Sequence, residues 1–139
     1  MSQLILDNDI SQPVVVPPLL KWITVELLQQ LRPGEIVRDE RVPEILRTLK
    51  QPTFVTIDSD FWHRRWRHPD YCILYFYLRD DEQHLIPDLL RALFRHPEFH
   101  TRAARRGKVA WVGTDSVRYW QFQVAQMQHL EPPPRRHKK

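Results

Sequence analysis

Two apolar runs in this chain end in clustered carboxylates. Leu4-Ile5-Leu6 leads into Asp7-Asn8-Asp9, and Phe54-Val55-Thr56-Ile57 leads into Asp58-Ser59-Asp60. A strand that stops at acidic residues presents them at the carboxyl edge of its sheet, where open α/β sheets bind ligands. Two such edges side by side gather three or four carboxylates around one point. Unit charges ~4 Å apart repel by about 4 kcal/mol at an effective dielectric near 20, so the cluster requires a proton or a cation. Hard divalent ions such as Mg²⁺ or Mn²⁺ favour carboxylate oxygens and are completed by water and substrate phosphates. Asp7, Asp58 and Asp60 are therefore the candidate metal ligands, and metal-assisted phosphodiester cleavage is the chemistry they suit. Asp58 and Asp60 share a face if the strand runs through both; if it ends at Asp58, Asp60 belongs to the loop. Asp9 reads more simply as a turn or cap residue.

The elements that position these acids follow from periodicity. A first strand covers 4–7, then a linker over 8–18 with prolines on either side of Val14-Val15-Val16. The spacing of Leu19, Leu20, Ile23, Leu27, Leu28 and Leu31 predicts a helix over 18–31, stopped by Arg32-Pro33-Gly34. A very short strand at 35–37 and a helix from Asp39 to about residue 50, with Pro43 in its first turn, precede the second carboxylate-tipped strand at 53–58. The continuous apolar run 71–78 predicts a strand covered on both faces. A helix over 80–95 follows, kinked or divided at Pro87, and then a short helix over 97–106 closed by Gly107. Residues 108–112 and 116–122 read as a C-terminal β-hairpin. Strands alternating with helices predict an α/β sandwich with a mainly parallel sheet.

Length and composition set the frame. A chain of 139 residues fits a single domain, here over 1–130, with room for a real core. No apolar run approaches the ~20 residues of a membrane span, and no basic stretch followed by an apolar core marks a secretory signal. The lone Cys72 reads as a small buried hydrophobe, and a reducing cytoplasm is its natural setting. Charge is uneven: residues 1–60 carry net −3, residues 61–130 carry +4 and the tail 131–139 carries +3. An acidic half beside an arginine-rich half suits a metal site next to a polyanion-binding surface. The proline-rich basic tail reads as disordered.

The loop 61–68 interleaves Phe61, Trp62 and Trp66 with Arg64, Arg65 and Arg67 beside the acids. Its arginines suit phosphate contacts. Its tryptophans suit base stacking on single-stranded RNA or, more readily, a protein interface. Arg102, Arg105, Arg106 and Lys108 read as a solvated basic face. His63, His68 and Cys72 do not supply the paired, converging ligands of a zinc site. Asp-x-Asp phosphatases and glycosyltransferases need longer chains, and the three scattered glycines form no phosphate loop.

LILDND at 4–9 together with FVTIDSDF at 54–61 resembles the PIN domain, in its compact toxin-type branch. YCILYFYLRD at 71–80, the leucine helix after it and the C-terminal hairpin resemble that branch too, so the likeness covers most of 3–122. The resemblance implies a three-layer sandwich, a parallel sheet flanked by helices. It also implies a Mg²⁺- or Mn²⁺-dependent endoribonuclease, often a toxin paired with an antitoxin. Carried onto this chain, Asp7 matches the acid ending the first strand, and Asp58 and Asp60 match the central pair. Glu40 fits best as the fourth catalytic acid, with Asp39 one step away and Glu44 a turn later. Asn8-Asp9 stands where the family has Glu-Asn. The resemblance also implies a single-stranded RNA substrate, its backbone held by Arg64 or Arg65, with an antitoxin or a second copy as protein partner. The competing reading is a non-catalytic module of the same type that binds RNA or a protein.

Overall fold

Strands and helices alternate through most of the computed structural model, which describes residues 3–130. Strands β1 (Gln3–Leu6), β2 (Thr24–Leu27), β3 (Thr53–Thr56), β4 (Cys72–Phe76), β5 (Lys108–Val112), β6 (Val117–Gln121) and β7 (Gln128–His129) form one seven-stranded sheet. Its order is β2-β1-β3-β4-β5-β6-β7. The first five strands run parallel, and β6 and β7 are antiparallel to their neighbours. The helices are α1 (Gln12–Leu20), α2 (Leu28–Leu31), α3 (Val42–Leu46), α4 (Ile86–Arg95) and α5 (Arg102–Arg105).

Side chains alternate across a strand, and here they sort into two buried clusters. Leu4, Leu6, Val55, Leu74 and Ala110 pack with Val15 and Leu19 of α1 and with Leu90 and Leu93 of α4. Ile5, Phe54, Ile73 and Val109 pack with Leu28, with Ile45 and Leu46 of α3, and with Phe61. The second cluster has little helix over it, because α2 and α3 are only four and five residues long. Loop aromatics complete it: Phe61, Trp62 and Trp66. Among the described residues no helix is long and apolar enough to cross a membrane.

Several elements differ from the sequence reading. The helix expected over 18–31 is instead the end of α1, the strand β2 and the single turn α2. Leu19 and Ile23 enter one cluster while Leu28 enters the other, so the apparent stripe serves two faces of the sheet. Ile23, Thr24 and Val25 favour an extended chain, and pairing with β1 realises it. The proline-flanked valines expected in a linker form α1, with Pro13 in its first turn and Pro17 and Pro18 near its end. Burial of Val15 and Leu19 offsets the missing backbone donors. Residues 35–37 form no strand, and the helix expected from Asp39 shortens to a 3₁₀ turn, Asp39–Arg41, followed by α3. Pro87 divides rather than kinks: a 3₁₀ segment, Asp80–Leu85, gives way to α4 with proline in its first turn. Of the basic group expected on a solvated face, Arg105 and Lys108 are buried. The basic tail 131–139 lies outside the described residues.

Candidate metal centre

β1 and β3 are neighbours in the sheet, yet the chain visits β2 on the far side of β1 before crossing to β3. Such a reversal of direction opens a crevice at the carboxyl ends of the two strands. Both acidic tips lie there. Asp7 continues β1, its N–H donating to the Val55 carbonyl at 2.9 Å. Thr56, fully buried as the last residue of β3, donates its hydroxyl to Asp7 Oδ2 at 2.7 Å and accepts the Asp58 N–H at 3.0 Å. One threonine oxygen thus ties the two tips together. Asp58 then caps the 3₁₀ turn Ser59–Phe61, accepting the Asp60 N–H at 2.9 Å. Phe61, completely buried, rests edge-on against Phe54 with ring centres 5.2 Å apart. Trp66 Nε1 donates to the Asp60 carbonyl at 2.8 Å. The loop carrying Asp58 and Asp60 is therefore pinned to the core at both ends.

Carboxylate oxygens of Asp39, Asp58 and Asp60 all lie within 4.8 Å of one another, so these three acids can hold a metal ion. Asp39 arrives from the turn at the start of Asp39–Arg41. Of the residues singled out in the sequence, Asp58 and Asp60 are in this triad. Asp7 stands beside it and feels the Asp58 charge. Glu40 turns away and lines a shallow surface depression with Glu35, Ile36, Arg38, Arg41 and Glu44. Thr56 carried no sequence signal of its own, since a β-branched residue ending a strand is ordinary.

The electrostatics agree with the geometry. Burial pushes the Asp7 carboxyl up, as does the Asp58 charge, while hydrogen bonds from Thr56 and Asn8 pull it back. Burial, then the charges of Asp7 and Asp58, push Asp9 up to about 7, although its side chain keeps contact with solvent. Asp39 is raised by burial first and then by Asp58, Asp7 and Asp60. Among the described residues, none of these five acids forms an ion pair with Lys, Arg or His. Two full charges 4.8 Å apart repel by roughly 3 kcal/mol at an effective dielectric near 20. A set of hard oxygen donors, mutually repelling and unpaired, fits a hard divalent cation.

The flanking loop is less open than its sequence suggests. Trp62 and Trp66 are half-buried: Trp62 packs near Trp120 (6.4 Å between ring centres) and Trp66 against Phe61 (5.3 Å). Arg64 and Arg65 are exposed, with guanidinium groups 5.9 Å from the Trp120 ring and 4.7 Å from the Trp66 ring. Arg67 is committed to the Gln121 and Val124 carbonyls. His63 and His68 each accept a backbone N–H two residues on. Cys72 is buried, its thiol pushed up to about 12 by desolvation. No family model, no curated protein and no solved structure matches this chain.

Proposed function

We propose that the chain is a PIN-like, Mg²⁺- or Mn²⁺-dependent endoribonuclease. In this reading it is a three-layer α/β sandwich, closed by the antiparallel β5–β6 pair as its C-terminal hairpin. The observation that carries the reading is the meeting of Asp39, Asp58 and Asp60 within 4.8 Å at a strand-order reversal, with Asp7 joined to them through Thr56. Asp39, Asp58 and Asp60 would hold the ion, and Asp39 takes the fourth-acid place for which Glu40 was the first expectation. A bound divalent ion supplies charge neutralisation at a phosphate and a more acidic water. Thr56 and the Asn8 N–H fix the orientation of Asp7, whose carboxyl also shares a hydrogen bond with the Asp9 side chain. Asp9, pushed up to about 7, takes or releases a proton near neutral pH, the property a general base or acid requires. Arg64 and Arg65, exposed on the loop that follows Asp60, supply charge for the RNA backbone. A toxin role with an antitoxin partner, or a homodimer, accompanies this reading.

The test is cleavage of single-stranded RNA by the purified chain with Mn²⁺ and with EDTA. Manganese-dependent cleavage that Asp58→Asn abolishes, with the circular dichroism spectrum unchanged, supports the nuclease. A parent that cleaves no RNA with or without manganese leaves the non-catalytic binding module instead, and an Asp58→Asn chain that cleaves as well as the parent overturns the assignment of the reaction to these acids.

A further inference from the structure

The sheet face that bears Thr56 carries a second feature. Strand register aligns Thr56, Tyr75, Trp111 and Arg118 across β3, β4, β5 and β6 as one row. The row beneath it, Phe54, Ile73, Val109 and Trp120, is covered by Phe61, Trp62 and Trp66. Thr56 and Tyr75 of the upper row are buried, but beside half-buried Trp111 a cleft of about 630 Å³ forms between Tyr75, Tyr77, Arg79, Glu82, Trp111 and the turn 113–116. Tyr77 is 61% exposed and stacks on Trp111, with ring centres 5.1 Å apart and planes at 27°. The Arg118 guanidinium lies 4.2 Å from the same Trp111 ring. A Cβ on Gly113 would meet that ring at 2.8 Å, so glycine is what lets the turn close against it. A tyrosine held by a rigid tryptophan, open on its outer side and facing a cleft, is more than a stray surface aromatic.

We infer that Tyr77 is a stacking platform for a nucleobase of single-stranded nucleic acid whose backbone runs along the carboxyl edge of the sheet towards Asp58. The inference rests on the nuclease reading for its choice of ligand. Two strand spacings, about 10 Å, separate the β3 tip from Trp111 on β5, on whose ring Tyr77 stacks, so one strand of nucleic acid reaches both. The cleft suits a base rather than a phosphate. It contains Glu82 as well as Arg79, and Arg79 is engaged by Asp81 and Glu82 at 3.0 and 3.6 Å. Stacking on tyrosine tolerates any base, because every base has a π-face.

The test is an anisotropy titration of the full chain with a labelled single-stranded RNA hexamer in Mn²⁺, with cleavage followed on gels alongside. Tyr77→Ala should weaken binding by about five- to a hundredfold, and Tyr77→Phe should restore it. Because Tyr77 is exposed, the substitution leaves the core intact. Equal affinity of the parent and Tyr77→Ala overturns the platform, and so does a parent that does not bind the hexamer. Cleavage that persists with a Tyr77-independent affinity sinks the platform and spares the nuclease. Tyr77-dependent binding without cleavage does the reverse.

Discussion

The two ends of the parallel sheet handle buried charge in opposite ways. At the amino end, Arg105 lies 1% exposed and donates to Thr53 Oγ1, the Phe99 carbonyl and the His100 carbonyl, with Phe94 4.0 Å below its guanidinium. Lys108 beside it donates to the Ala104 carbonyl and meets Glu98 at 3.7 Å. Burial lowers the proton affinity of both, yet each cation has its acceptors inside the chain. At the carboxyl end the acids have one another. Asp7, Asp9 and Asp39 are all held above the usual carboxylate range, by burial and by neighbouring acids. A charge satisfied within the fold serves the fold, whereas charges left to repel point to something the fold receives.

The sharpest way to break that comparison is to remove the internal cation. Arg105→Met leaves the Thr53, Phe99 and His100 acceptors, among others, without their donor and a planar group's worth of packing unfilled. Buried hydrogen bonds to charged groups contribute about 1.5–3 kcal/mol each, offset in part by the desolvation that burying the guanidinium costs, so a loss of about 3–5 kcal/mol is expected from urea denaturation. Asp58→Asn should cost nothing comparable in metal-free protein, since it relieves repulsion. If the two substitutions destabilise equally, the two ends do not differ as described.

The next effect is the gain from an ion. Manganese at a hundred times its dissociation constant should stabilise the native chain by about 2.7 kcal/mol, visible as a rise in melting temperature. Asp58→Asn should erase most of that increment, while the rise should persist in the less stable Arg105→Met chain. A smaller effect is the pH dependence without metal. Asp9 sits at about 7 in the folded chain against an ordinary value of 3.8, so between those values the native state binds more protons than the unfolded one. Its contribution is full below pH 4 and is lost as pH rises through 7. Allowing for solvent screening of a partly exposed group, the loss is about 1 kcal/mol. Urea midpoints at pH 5 and pH 8 in EDTA should show it, and Asp9→Asn should flatten the profile.

How far the sequence went depends on the range of the signal. The strand tips were legible because an apolar run and its acidic end are adjacent residues: Leu6 with Asp7, Ile57 with Asp58. The antiparallel β5–β6 pair was legible for the same local reason. The stretch 18–31 was misread because a spacing of three and four also arises when one segment feeds two faces of a sheet, as Leu19 and Leu28 do. Arg105 was misread because its acceptors are a hydroxyl 52 positions away and carbonyls of a loop, neither of which leaves a pattern in composition. Thr56 escaped notice because its role exists only once β1 and β3 lie side by side.

Adjacent residues of like charge can nonetheless face different surroundings, and Asp39 and Glu40 give the finest test of the comparison. Both stand in the turn Asp39–Arg41. Asp39 puts a carboxylate oxygen within 4.8 Å of those of Asp58 and Asp60, while Glu40 is exposed in a depression beside Arg41 and Glu44. The PIN resemblance implies Glu40 for the fourth-acid place, but a one-residue step in a tight turn re-aims a side chain completely. Asp39→Asn should weaken manganese binding by about tenfold or more, in line with the ten- to hundredfold losses seen even for groups that only support metal ligands. Glu40→Gln removes only an exposed charge that acts weakly on Asp39, where screening leaves little of it, and should change affinity by about twofold at most. Isothermal titration of the two variants decides it. A larger loss at Glu40 would mean that the turn closes differently around the ion and that Glu40, not Asp39, belongs to the site.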